Sequence, residues 1–337
     1  MARKYVITSI KNSKTFDAGS KAKNDDRLIL GNCGYTPLDI SNSSSRIQKL
    51  FQGIWKIKKL IKMHPAKQYV IQYPLYSIFI IENVIKNIRK YTPDGQVILL
   101  IHDIEALRLR VNDVKYTRKE LAVFNSVDSI IVHTDNMENK LRKMGVTTKM
   151  VVQGLFDYLN PQQMYINEKQ IGKISYAGNL EKSPFLKKIN LERTHLEIFG
   201  TPKPTTDLGK NVEYQGAYPA DELPKYLKAD YGLVWDGTSL ESSEGVFGDY
   251  TKYNSPHKAS LYISSGLPVI VWKKAGIASI IKKNNLGLVV DNIEDLDEIV
   301  SDVTEEAYIT MKKSVIEYGK RIREGKILMS VLSNDGK

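Results

Sequence analysis

Short, wholly apolar runs recur along this chain, and a longer stretch with helical spacing separates each from the next. In the first half Lys4–Ile10, Gln68–Gln72, Gln96–Ile101, Ser129–His133 and Lys149–Val152 read as strands. Helical patterns at Ser45–Met63, Ile78–Tyr91, Lys115–Phe124 and Asp135–Met144 lie between them. A strand without polar alternation must be buried on both faces, and a helix after each strand supplies the cover. The pattern therefore selects an α/β fold with a parallel sheet. The second half repeats it, with strands expected at Lys173–Tyr176, His195–Phe199, Val212–Gln215, Tyr231–Trp235, Val269–Trp272 and Gly287–Val290. Helices are expected at Ala220–Leu227, His257–Ser264, Ala275–Lys283 and Ile293–Val303, with a long one from about Glu305 to Leu332. Two Rossmann-like parallel-sheet domains facing a cleft follow: residues 1–153, a linker at 154–172 that lacks a clear period, a second domain at 173–304, and a C-terminal helix at 305–337. A chain of 337 residues has room for two such domains. Ligands of open parallel sheets gather at the C-terminal ends of the strands, so chemistry is sought there.

Composition excludes several other classes. Hydrophobic residues make up 42% and charged residues 26%, enough apolar surface for a packed core. Cys33 is alone, so no disulfide framework exists, and a small buried residue is expected there. The N-terminus, Met-Ala-Arg-Lys-Tyr-Val-Ile, offers no apolar core of a signal peptide, and no run has the length of a spanning helix. A cytoplasmic protein is expected. Charge divides unevenly. Residues 1–160 hold 26 Lys+Arg against 14 Asp+Glu, and residues 161–337 hold 23 against 24, so the first half carries the whole +11 excess. Ser45–Lys67 contains seven basic residues and no acid, with Ile47, Leu50, Phe51, Ile54, Ile57 and Ile61 on one stripe. That segment reads as a helix packing on its sheet with lysines in water, or as a docking face for an acidic membrane surface. Nucleic acid is the weaker partner, because no reading motif accompanies the charge.

No Gly-x-Gly-x-x-Gly follows the first strand and no Walker A sequence occurs, so dinucleotide and P-loop chemistry lose their support. Asp295-Leu296-Asp297 has the form of a metal-binding Asp-x-Asp. Its apolar neighbours fall at helical spacing, so it reads as a solvated helix face. The five histidines show no ligand spacing, and no metal is expected. His102-Asp103 closes a buried strand. A carboxylate there could take a proton from a hydroxyl, or could cap the next helix. Gly178-Asn179-Leu180-Glu181-Lys182 follows the first strand of the second half. Asn254-Ser255-Pro256-His257-Lys258-Ala259-Ser260 opens a helix, with Ser255 as a cap and Pro256 in the first turn. A lysine in that turn opposes the helix dipole unless an anion sits there, which points to phosphate.

Four stretches carry a resemblance: Ile101-His102-Asp103, Val151-Val152-Gln153-Gly154, Gly232-Leu233-Val234-Trp235, and Tyr262 with Ser264-Ser265-Gly266-Leu267-Pro268-Val269-Ile270-Val271. They resemble two-lobed GT-B glycosyltransferases, specifically the bacterial glucosyltransferases that extend O-linked sugars on serine-rich repeat adhesins. The resemblance implies a UDP-sugar donor bound mainly in the C-terminal lobe, an acceptor bound mainly in the N-terminal lobe, no catalytic metal, and a homo-oligomer. It puts Lys258, with Pro256 and Ser260 beside it, where the family contacts phosphate, and Lys182 where an Arg stands in the family. Tyr218-Pro219-Ala220-Asp221 falls where the family holds nucleotide, Gly19 in a loop facing the donor, and Glu241–Tyr250 in an insertion beside the donor pocket. Phe199, Gly200 and Tyr218 would line the nucleoside pocket, with Gly178, Asn179, Trp235, Ser255, His257 and Ala259 also about the donor. Asp103 would act as base. The Glu-x7-Glu of many retaining relatives is not evident, which leans towards inversion. A hexosyl or galactofuranosyl transferase for a lipid-linked glycan, and a non-catalytic partner subunit, are the alternatives.

Overall fold

The computed structural model describes residues 3–10, 18–41, 55–75, 77–205 and 207–335. They fold as two compact units. One takes the described residues up to Gln153, from Gly19 onward and with β-strand Lys4–Ile10, together with residues from Leu328 to the end of the final helix. The other takes Gly154–Ile327.

The first unit is built on β1 (Lys4–Ile10), α1 (Ala18–Asn32), β2 (Thr36–Ser41), α2 (Ile57–Met63), β3 (Gln68–Tyr73), α3 (Ile78–Tyr91), β4 (Gln96–Ile101), α4 (Val114–Phe124), β5 (Ser129–Val132), α5 (Asp135–Lys143) and β6 (Lys149–Val152). Its sheet is parallel, in the order β2-β1-β3-β4-β5-β6. The central strands are buried on both faces, as their unbroken apolar sequences require. Two elements escape the sequence pattern. The buried face of α1 reads Ala22, Asp25, Asp26, Ile29, Leu30, a helical stripe disguised by two aspartates. Lys21 pairs with Asp25 at 2.6 Å, and His102 faces Asp26 at 3.4 Å. β2 contains Pro37, which a strand tolerates at the edge of a sheet. Of the expected helix Ser45–Met63, positions 45–54 lie outside the described residues. Its remainder forms α2, where Ile57 and Ile61 are buried while Trp55, Lys56, Lys58, Lys59, Lys62 and Met63 are exposed.

The second unit runs β7 (Lys173–Asn179), β8 (His195–Thr201), β9 (Val212–Gly216), β10 (Tyr231–Val234), α6 (Gly245–Tyr250), α7 (His257–Ser264), β11 (Val269–Trp272), α8 (Ala278–Lys283), β12 (Gly287–Val290), α9 (Leu296–Ser301) and α10 (Glu305–Arg323), and reaches the start of α11 (Lys326–Asp335). Its parallel sheet has the order β12-β11-β10-β7-β8-β9. The strand sequence reverses direction between β7 and β10, and the crevice at such a reversal is where this architecture binds ligands. Residues 154–172, read from sequence as a linker, fold into this unit: Leu155 and Tyr158 are in its core. The expected helix Ala220–Leu227 is instead a single 3₁₀ turn, Leu223–Tyr226, with Pro224 inside it. The long C-terminal helix is two, α10 and α11, broken at Gly325, whose φ of 71° is left-handed. The Asp-x-Asp reading as a solvated helix face gives way to an anchor. Asp297 accepts the backbone N–H of Glu192 at 2.6 Å and of Thr194 at 2.8 Å, and the Thr194 hydroxyl at 2.7 Å. No helix among the described residues is long and apolar enough to cross a membrane.

Candidate active site

A cavity of about 390 Å³ opens at the C-terminal ends of β7 and β8. Its floor is made of two glycines, Gly178 and Gly200, paired across the two strands. Gly200 has φ +140°, and a Cβ there would collide with the Gly178 carbonyl. A Cβ on Gly178 would lie 3.3 Å from the Tyr176 hydroxyl and 3.7 Å from Lys258 Nζ. Bare backbone at these two positions is what gives the cavity its depth.

One wall is aromatic. The Tyr218 and Tyr226 rings stack at 3.8 Å and 17°, and Phe199 stands 6.3 Å from Tyr218. Tyr158, Ala217, Ala220 and Leu223 continue that apolar side, and the Tyr158 hydroxyl donates to the Ala220 carbonyl at 2.7 Å. A flat apolar wall of this kind suits a planar base.

The other wall is cationic. Lys182 stands in the 3₁₀ turn after β7, where Asn179 caps the Glu181 N–H at 3.0 Å. Its ammonium lies 4.1 Å over the Phe247 ring. Lys258 is the second residue of α7. Its Nζ donates to Asp236 Oδ1 at 2.9 Å, to the Trp235 carbonyl at 3.0 Å and to the Tyr176 hydroxyl at 3.4 Å. The Tyr262 hydroxyl accepts the Ala177 backbone N–H at 2.6 Å, which pins α7 to β7 and so fixes where Lys258 begins.

Of the residues anticipated about the donor, Gly178, Asn179, Lys182, Phe199, Gly200, Tyr218, Ala220, His257 and Lys258 line this one cavity. Others do not. Trp235 is buried, with its indole N–H on the Ser239 carbonyl at 2.9 Å, and contributes only its own carbonyl to Lys258. Ala259 and Ser260 face the core, and the Ser260 hydroxyl donates to Phe156 O. Pro219 and Asp221 lie in the adjacent exposed loop. The cap assignment shifts by one residue: Pro256 is itself the N-cap of α7, and its side chain makes no cap hydrogen bond. A helix that starts on proline with no side-chain cap keeps the positive end of its dipole available to an anion. Gly19 is exposed in the first turn of α1, in the first unit.

Asp103 follows β4 in the first unit. It is half-buried and pairs with Arg108 at 2.7 Å. The N-cap of the short turn Glu105–Leu107 is Ile104, and α4 is capped by Asp113, which accepts the Tyr116 N–H at 2.9 Å. The loop is held from beneath by Glu120, fully buried, which accepts the Ala106 N–H at 2.8 Å and the Tyr73 hydroxyl at 2.5 Å. Burial pushes the Glu120 carboxyl up despite those donors. Sequence reasoning missed Tyr158, Ala177, Thr201, Ala217, Leu223 and Leu261 in the cavity lining, and Asp236 bonded to Lys258. Asp236 carries the same signal that marked Asp103, a carboxylate just past a buried strand.

Two units with Rossmann-type parallel sheets, one of them bearing a strand-end cavity with an aromatic and a cationic wall, define a GT-B glycosyltransferase. The chain belongs to the glucosyltransferase 3-like family: residues 4–155 match the model of its N-terminal domain and residues 174–334 that of its C-terminal domain. It is 30% identical over 337 residues to the beta-1,6-galactofuranosyltransferase WbbI of Escherichia coli (strain K12), covering 97% of each chain. It is 32% identical over 243 residues to glucosyltransferase 3 of Streptococcus gordonii, covering 71% of this chain and 70% of that one. Among solved structures, sucrose-phosphate synthase from Thermosynechococcus elongatus superposes with a TM-score of 0.67 at 12% identity, over 100% of this chain and 98% of that one, a likeness of fold.

Proposed function

We propose that this glycosyltransferase moves a hexosyl group from a UDP-sugar to a sugar hydroxyl, with inversion and without a divalent metal, in the cytoplasm. The observation that carries the reading is the cavity itself, with Phe199 and Tyr218, the latter backed by Tyr226, on one side and Lys182, Lys258 and the start of α7 on the other. Uracil would lie on the aromatic wall and the diphosphate on the cationic one. In the transfer, the acceptor oxygen bonds to the anomeric carbon as the bond from that carbon to the diphosphate oxygen breaks. The acceptor proton goes to Asp103, which Arg108 orients. Charge arriving on the leaving UDP meets the two ammonium groups and the helix dipole. Glucose onto a glycosylated adhesin is the first substrate reading, with the chain working as a homo-oligomer. Galactofuranose onto a lipid-linked glycan is the second, favoured by the match to WbbI along nearly the whole chain. The exposed Trp55 and the lysines of α2 suit contact with an acidic membrane surface in that case.

The test compares wild type with Asp103→Asn. UDP should bind both equally, in EDTA as well as in magnesium. Transfer from UDP-glucose or UDP-galactofuranose should fall about 10²–10⁴-fold in the variant, the span of a general base. Binding that disappears in EDTA, or a variant with full activity, would remove the metal-free donor site or the base respectively.

A further inference from the structure

We propose that Asp236 is a positioning residue that sets the charge of the diphosphate end of the cavity: it holds Lys258 as an ion pair while the site is empty, and an incoming diphosphate takes the lysine from it. This rests on the reading of the cavity as a UDP-sugar site and deepens it.

An ammonium group has three protons. Those of Lys258 have three acceptors within the protein, Asp236 Oδ1 at 2.9 Å, the Trp235 carbonyl at 3.0 Å and the Tyr176 hydroxyl at 3.4 Å. A phosphate oxygen can bind this lysine only by replacing one of them. Two of the three are poor candidates for release. The Trp235 carbonyl is fixed backbone at the end of β10, and Tyr176 is fully buried and bonded to the Ser183 hydroxyl. Asp236 is different. Its side chain is about one-fifth exposed, is held besides the lysine by a long 3.5 Å bond from the Tyr176 hydroxyl, and does not itself line the cavity. It can turn towards water, and as a carboxylate it repels the arriving phosphate.

The charge balance has the same sign. Lys182 and Lys258 are the two full cations on the cavity wall, and the Asp236 carboxylate cancels one of them. The ammonium of Lys182 is also engaged, over the Phe247 ring at 4.1 Å. Asp236 and Phe247 belong to one segment after β10, and that segment is braced: the Ser243 hydroxyl donates to the Asp236 carbonyl at 2.8 Å, and the Trp235 indole to the Ser239 carbonyl at 2.9 Å. The brace holds the Asp236 backbone and leaves its carboxylate to set the site's attraction for anions. A weaker hold on diphosphate serves an enzyme that must release UDP on each turnover.

Asp236→Asn keeps an acceptor in place for Lys258 and removes the charge. Calorimetric titrations of wild type, Asp236→Asn and Asp236→Asn/Lys258→Ala with UDP, inorganic pyrophosphate and uridine test the proposal. In the single variant UDP and pyrophosphate should bind about 5- to 50-fold more tightly, uridine should bind unchanged, and the gain should vanish in the double variant. Asp236→Ser, shorter and neutral, should show the same sign even if Asn disturbs packing. Unchanged or weaker UDP and pyrophosphate binding in both neutral variants would overturn the proposal, as would a gain that persists without Lys258. A wild-type protein that binds pyrophosphate but not UDP, with the gain intact, would sink the nucleotide reading and keep this one. Binding of neither ligand would sink both.

Discussion

His133 stands directly after β5, wholly buried, with Nε2 against the Ile101 carbonyl at 2.9 Å. Burial lowers its pKa to about 4, and the carbonyl only partly offsets that. The native state therefore keeps the ring neutral where an unfolded chain, near pH 6.5, has begun to protonate it. Its contribution is complete above about pH 6.5 and is lost as pH falls towards 4, because the unfolded chain binds the proton first. Urea unfolding of His133→Gln should show a pH dependence shallower than wild type by up to one proton across that window. An identical slope would mean that the imidazole takes up its proton in the native protein as readily as in the unfolded chain. At this same scale the site was half legible. Lys258 stood out because a lysine in the first turn of a helix is electrostatically misplaced without an anion. Gly178 stood out because it follows a buried strand, and Gly200 came with the family resemblance. Tyr158 did not, because it arrives from a segment with no period, and the tertiary contact that brings it to the cavity leaves no trace in local spacing.

At the scale of elements, the buried strands were readable because unbroken apolar runs have few alternatives. α1 was not, because its inward stripe includes Asp25 and Asp26, and β2 was hidden by Pro37. Polar groups bought into a core by pairing look like surface in a sequence. The packing of α10 on α7 gives a sharp test. Gly319 meets the Ile263 carbonyl, where a Cβ would lie 2.5 Å from the oxygen and 2.9 Å from Met164 Cε. Alanine is favoured over glycine in a helix by about 1 kcal/mol. Overpacking against backbone that cannot yield costs about 1–3 kcal/mol. The clash should win, and Gly319→Ala should melt below wild type in a thermal scan. A variant that melts higher would show that the two helices can part without cost.

At the scale of the whole molecule, the sequence located two sheets but not the limits of the units that contain them. Leu155, Tyr158, Val315 and Ile322 all belong to the core of the second unit, and the Ile327 N–H donates to Asp157 at 3.1 Å. A fragment of residues 154–327 should therefore fold cooperatively and keep its affinity for UDP, whereas one of residues 173–304 should not fold. Circular dichroism melts and UDP titration of both fragments decide this, and a folded shorter fragment would contradict it. The residues after Ile327 cluster with the first unit, where Leu328 and Val331 are buried. That arrangement has a consequence for synthesis. A ribosome adding about 5–20 residues per second takes roughly 10–35 s to pass from the last strand of the first sheet to Leu328. Through that interval the nascent first unit lacks its final piece and leaves uncovered the apolar patch those side chains occupy. The second unit can finish folding before the first, and a truncation ahead of Leu328 would injure the domain made at the beginning of translation.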